Sequence, residues 1–208
     1  MNKSWRHRMA VATVVLAPAC SMLSPQPDPS RFFVLTAIEL PAADVPSPMS
    51  DSIRPVVLAV GPVRLAPYLD RNDLAIRLSA DEIRYSDGER WAEPLDRNVT
   101  RVLALNLSYL LRTARVVTYP EAPSLRPGYQ IEVEVGRLDS TRTGEATLAA
   151  HWTIEDLGTH ELLAIRDSYL TRPAAGTGTP AAVAALSGLL AELSQQIASA
   201  VPILPGKQ

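Results

Sequence analysis

Only one cysteine, Cys20, occurs in the 208 residues, so no internal disulfide can form and stability must come from packing. Histidine is almost as scarce: beyond His7 near the N-terminus there are only His151 and His160. No HExxH, no paired cysteines and no GxSxG occur, which leaves zinc and serine-hydrolase chemistry without a basis. Two phenylalanines and four methionines are thin material for lining a lipid-sized cavity. Basic charge is not in excess either. Of the 20 basic residues, Lys3, Arg6 and Arg8 precede Cys20, where no acidic residue lies, leaving 17 basic against 22 acidic. A net of about −5 argues against a nucleic-acid partner and against a broad electrostatic hold on anionic lipid.

What is present begins with a leader. The basic stretch Lys3, Arg6, Arg8 is followed by an apolar run from Met9 to Ala19, too short to span a bilayer, and then by Cys20. This order predicts a signal peptide over 1–19 and bacterial lipoprotein processing. The Cys20 thiol takes a diacylglycerol, the leader is removed, and the acylated cysteine (palmitate-type chains) becomes the N-terminus. The position three before Cys20 is Ala17, where such signals usually carry leucine. Residues 20–30, with Pro25, Pro27 and Pro29, read as an extended tether reaching roughly 30 Å.

The remainder predicts one α/β domain of α+β type over 31–204, with a mixed, largely antiparallel sheet and two main helices, then a tail at 205–208. Strands are expected at Arg31–Leu35, at Val56–Val60 closed by Gly61-Pro62, at Leu74–Leu78 and at Glu82–Tyr85, with a turn at Asp87-Gly88. A second proline-rich loop runs from Pro41 to Pro55. From Pro94 to Arg112 the period changes: Val99, Leu103, Leu107 and Leu110/Leu111 recur at helical spacing. Strands follow at Arg115–Tyr119, Gln130–Val135 and Ala146–Ile154. The turn at Gly158-Thr159 joins the last of these to Glu161–Leu170 as an antiparallel hairpin. Thr179-Pro180 reads as an N-cap and first position of a helix striped by Val183, Leu186, Leu190, Leu193 and Ile197.

Candidate chemistry is sparse. His151 lies on the strand face opposite Leu148 and Trp152, and His160 follows a turn, so both read as surface or cross-strand residues. The loop Ala175–Pro180 lacks the lysine of a P-loop and reads as a helix entry. Glu132 and Glu134 share a solvated strand face. The glycosylation patterns Asn98–Thr100 and Asn106–Ser108 fall inside a helix and are discounted. No metal site and no cofactor are expected.

More information lies between residues 60 and 95. The chain reads Val60-Gly-Pro-Val-Arg64-Leu-Ala-Pro-Tyr68-Leu-Asp70-Arg71, then Arg77, then Arg90-Trp91-Ala-Glu93-Pro-Leu95 opening the helix. Physically, Pro62 and Pro67 stiffen the backbone around Arg64, Tyr68 and Leu69 can bury, and Asp70 and Arg71 are left to find partners, with Arg77 or Arg90 candidates for Asp70. Trp91 is a packing anchor, and Glu93 can sit at the positive end of the helix. Loop locks and core anchors are favoured over direct partner contacts. This order of motifs resembles the PqiC family, auxiliary lipoproteins of MCE-type lipid transport systems. The resemblance implies a non-enzymatic, outer-membrane-anchored subunit on the periplasmic face, docking an MCE protein that works with a permease. A cyclic homo-oligomer would match a tunnel of cyclic symmetry. An envelope-assembly lipoprotein binding lipopolysaccharide or a barrel, and a lipid carrier with its own cavity, stand as alternatives.

Overall fold

The computed structural model describes residues 29–39, 57–120 and 126–201. The leader, Cys20, most of the tether, the Pro41–Pro55 loop and the tail lie outside the described residues. The expected α+β domain is present, with one eight-stranded mixed sheet and two helices among the described residues.

The sheet is organised around β6 (Tyr129–Thr141), whose Ile131, Val133 and Val135 point inward while Glu132 and Glu134 point out. On one side β6 pairs with β7 (Glu145–Asp156), and β7 with β8 (Glu161–Pro173), both antiparallel along nearly their whole lengths. Leu148, Trp152 and Ile154 on β7 are all buried, as the alternation predicts. On its other side β6 is shared. Its first half pairs in parallel with β2 (Leu58–Leu65), and its last residues pair in parallel with β3 (Asp73–Arg77). Beyond β2 lies β5 (Val116–Thr118); beyond β3 lie β4 (Ile83–Trp91) and then β1 (Arg31–Phe33).

Helices α1 (Leu95–Leu110) and α2 (Gly178–Ala200) pack side by side on the inward face, α1 over β2 and β5, α2 over β7 and β8. Val99, Val102, Leu103 and Leu107 of α1 meet Leu186, Leu189, Leu190 and Leu193 of α2 in one continuous core with the sheet. Of the described helices, α2 alone is long and apolar enough to cross a membrane, yet its apolar face is spent on this core.

Three local expectations are corrected. β2 does not end at Gly61-Pro62 but continues to Leu65, because Gly61, at φ +119°, absorbs a bulge that shifts the register between Val60 and Val63. Asp87-Gly88 is likewise no turn. β4 runs through it to Trp91, with Ser86–Glu89 bulged opposite Leu74 and Gly88 at φ +76°. The N-cap of α2 is the extended Thr177 rather than Thr179. The Thr179 hydroxyl is drawn instead to a carboxylate, donating to Glu89 Oε2 at 2.6 Å.

Between β1 and β2 the backbone of 34–38 is held by side chains from both helices. Asn98 Oδ1 accepts from the Leu35 N–H at 2.7 Å, Ser187 Oγ from Thr36 at 3.1 Å and Asn106 Oδ1 from Ile38 at 2.8 Å. Asn98 and Asn106, each discounted as a sugar acceptor, are 1% and 0% exposed and serve as strand-like partners for an extended segment.

Candidate functional site

Because β2 and β3 share one edge of β6, the chain between them must cross a gap in the sheet, and residues 66–72 fill it. The Ala66 N–H donates to Val135 O at 2.9 Å, so the crossing starts at the bulge in β6 between Val135 and Arg137. Leu69 turns inward and is 3% exposed, joining Leu74, Trp91 and Leu95 in the core. Tyr68 turns to the outer face, above Asp139.

Asp139 is the hub of that outer face. Its side chain is wholly buried, and it accepts from Arg77 Nε and Nη2 (3.1 and 2.8 Å to Oδ2), from Arg137 Nε (3.0 Å) and from the Tyr68 hydroxyl (2.9 Å). A buried carboxylate is tolerated only when so surrounded. Burial, then the neighbouring Asp139 charge, pushes the Tyr68 phenol up to about 12, so it stays a protonated donor at neutral pH. The hydrogen bonds that Arg77 donates to Asp139 raise its pKa above the usual arginine value. Tyr68 and Arg77, two residues singled out from the motif, thus meet on a third that the sequence did not single out.

The other motif residues are spread along the same seam. Arg71 stacks on the Tyr85 ring at 4.3 Å, and the Tyr85 hydroxyl donates to Tyr68 O at 3.2 Å. Arg90 pairs with Asp73 at 3.7 Å, and Arg64 with Glu132 at 3.2 Å. Asp70 therefore has neither Arg77 nor Arg90, because Asp139 and Asp73 hold them. It is exposed, with no side-chain bond among the described residues. Trp91 is 6% exposed, and its backbone N–H donates to Asn72 O at 2.6 Å, which ties the strand-to-helix junction to the crossing segment. Glu93 precedes the helix cap Pro94 and pairs with Arg101 one turn and more along α1. Cys20, the predicted acylation site, lies outside the described residues.

A second carboxylate hub joins three elements that are remote in sequence. Glu89 accepts from Ser86 Oγ and Thr179 Oγ1 through one oxygen and pairs with Arg31 at 3.2 Å through the other. Burial alone would raise its pKa, but the Thr179 and Ser86 hydrogen bonds and the Arg31 charge prevail and lower it. Beside this hub a cleft of about 250 Å³ opens between β3, β4 and the entry to α2, floored by Leu69, Leu74, Trp91 and Leu186. His151 and His160 are surface cross-links: His151 Nδ1 lies 2.8 Å from Asp167 on the neighbouring strand, and His160 Nδ1 2.9 Å from Glu155. No group of metal-ligating side chains forms among the described residues.

Comparison with known proteins places this architecture. A crystal structure of a protein described only as uncharacterized aligns over 83% of this chain and 98% of its own, at 20% identity and a TM-score of 0.66. Protein XCC0632 from Xanthomonas campestris aligns over 81% of this chain and 93% of its own, at 19% identity and a TM-score of 0.65. At these identities the likeness is one of fold. No curated protein matches. The family of ABC-type transport auxiliary lipoprotein components matches residues 39–198, a span that takes in the crossing segment, both hub carboxylates, α1 and all but the last two residues of α2. The chain belongs to the ABC-type transport auxiliary lipoprotein family.

Proposed function

We propose that this chain is a PqiC-like, non-catalytic subunit of an MCE-type intermembrane lipid transport system. Acylated Cys20 anchors it to the periplasmic face of the outer membrane, and the folded domain docks the MCE protein that works with the permease. The observation that carries this reading is the use made of the motif. Tyr68, Arg77 and Trp91 are spent on closing the gap in the sheet, so the motif builds a rigid platform around Asp139. Such a use suits a domain whose task is to present surfaces. The cleft of about 250 Å³ beside Glu89 is below the roughly 300–1,000 Å³ of pockets that enclose drug-sized ligands, and the hollow of about 450 Å³ beside β8 is open to solvent and walled by Glu134, His151 and Asp167, a lining unsuited to an acyl chain; both favour docking over carriage of a whole lipid.

Two experiments test it. Replacing Cys20 with Ser should move the protein from the outer-membrane fraction to the soluble periplasm; retention in the membrane refutes the anchor. The tagged chain, purified from solubilised envelopes, should bring with it the MCE-domain protein encoded in the same genome. Recovery of the chain with stoichiometric phospholipid and no MCE protein refutes docking in favour of a carrier.

A further inference from the structure

The sheet is left open at β8. This strand hydrogen-bonds β7 and no other strand among the described residues, so the 13 residues Glu161–Pro173 present one edge of unused backbone donors and acceptors. An edge of that length is a template for a further strand. Both helices lie on the other face, and the outer face near this edge carries large apolar side chains: Ile165 is 57% and Tyr169 67% exposed. Between them stands Asp167, whose side chain is 89% exposed. Arg166 projects to the inward face, also exposed. A shallow hollow of about 450 Å³ opens alongside, where Gly136 offers no side chain and Glu134, His151, Asp167 and Tyr169 form the walls.

We infer that β8 accepts an extended segment of the transport partner as an added strand, which sets apolar side chains beside Ile165 and Tyr169, a lysine or arginine beside Asp167, and an acidic residue beside Arg166. Successive side chains of a strand alternate faces, so the occupant reads apolar–basic–apolar on the outer face with its acid between, on the other. His151 Nδ1 lies 2.8 Å from Asp167 Oδ1 on the β7 side, which leaves Asp167 Oδ2 to meet the basic side chain at the open edge. A second β8 is a poor occupant in the two registers centred on Asp167 and Arg166. The antiparallel register that sets Ile165 against Tyr169 of a second β8 also sets Asp167 against Asp167, and the neighbouring register sets Arg166 against Arg166. Like charges directly opposite are destabilising. The edge thus disfavours its own central registers while matching a partner of complementary pattern.

This inference rests on the docking reading, and hydrogen–deuterium exchange of the full chain separates the two. Three samples are compared: the chain alone over a range of concentrations, the chain with the purified MCE-domain protein, and the chain with a short peptide of core sequence valine–threonine–lysine–glutamate–valine. The expected result is slowing of the 161–173 amides by roughly tenfold or more with partner and with peptide, and none with a scrambled peptide. Asp167→Arg should weaken both by about tenfold, and Tyr169→Thr, which keeps strand propensity, should do so with an unchanged melt. If the MCE protein binds and the β8 amides exchange as before, the inference is overturned and docking stands. If the peptide protects β8 but the MCE protein does not bind, docking is overturned and the strand-accepting edge stands. Protection of β8 that rises with the concentration of the chain alone overturns the inference in favour of a second copy.

Discussion

Replacing Asp139 with Asn is the sharpest test of how the crossing segment is held. The wild-type carboxylate is 0% exposed and satisfies donors from Arg77, Arg137 and Tyr68 together. Asparagine keeps the shape but turns an amide N–H₂ toward one set of these donors and removes the charge between two guanidinium groups. Breaking a buried pair from one side costs about 3–5 kcal/mol. The arginine side chains retain 16% and 24% exposure, so water recovers part of that, and about 3 kcal/mol is the expected loss. At about 2–4 °C per kcal/mol for a domain of this size, the melting temperature should fall by about 6–12 °C. Thermal melts followed by circular dichroism at neutral pH read the shift directly. A variant melting within about 2 °C of the wild type would show that Asp139 does not lock the segment, and the structural role given to Tyr68 and Arg77 would fall with it.

Other consequences are independent of that one. The Tyr68 phenol is raised above its ordinary value to about 12, so its protonated form stabilises the fold below pH 10 and that stability is lost as pH rises from 10 toward 12. Tyr68→Phe should cost about 1 kcal/mol at neutral pH and flatten the alkaline limb of a urea-midpoint profile. The Glu89 carboxylate is lowered, so its contribution is present above the ordinary glutamate value and disappears as pH falls through the folded one. The gap in urea midpoint between wild type and Glu89→Gln should therefore close on acidification; a gap independent of pH would contradict the hub. Asn106→Ala strips the Ile38 N–H of its acceptor and should cost about 1–3 kcal/mol, with faster amide exchange at Ile38 as the local sign.

What the sequence shows and what it conceals follow the range of the interactions. Helix α1 is legible because Val99, Leu103 and Leu107 repeat at helical spacing, and β6 to β8 because strict alternation and a Gly158-Thr159 turn fix faces and partner. Both signals lie within one element or its neighbour. Asp139 was not legible: its partners Tyr68 and Arg77 are 71 and 62 residues away and meet it only because β2 and β3 divide one edge of β6. Parallel pairings carry no turn to announce them. The same holds for Asn98 and Asn106, whose acceptors are filled by backbone 63 and 68 residues distant. The glycines at Gly61 and Gly88 misled in the other direction. A φ above zero serves a bulge as well as a turn, and only the neighbouring strand decides which. Of the motif, Trp91 and Leu69 were placed in the core by their apolar character, whereas the pairing of Asp70 with Arg77 or Arg90 failed because two other carboxylates claim those arginines.

The central claim, that this lipoprotein acts by docking an MCE protein, is tested most directly by mixing the two purified proteins and measuring their sedimentation. The docking account predicts a complex that forms with wild-type chain and with the Cys20→Ser form alike, since the anchor is separate from the docking domain. Two proteins that sediment apart at every concentration tried would contradict it.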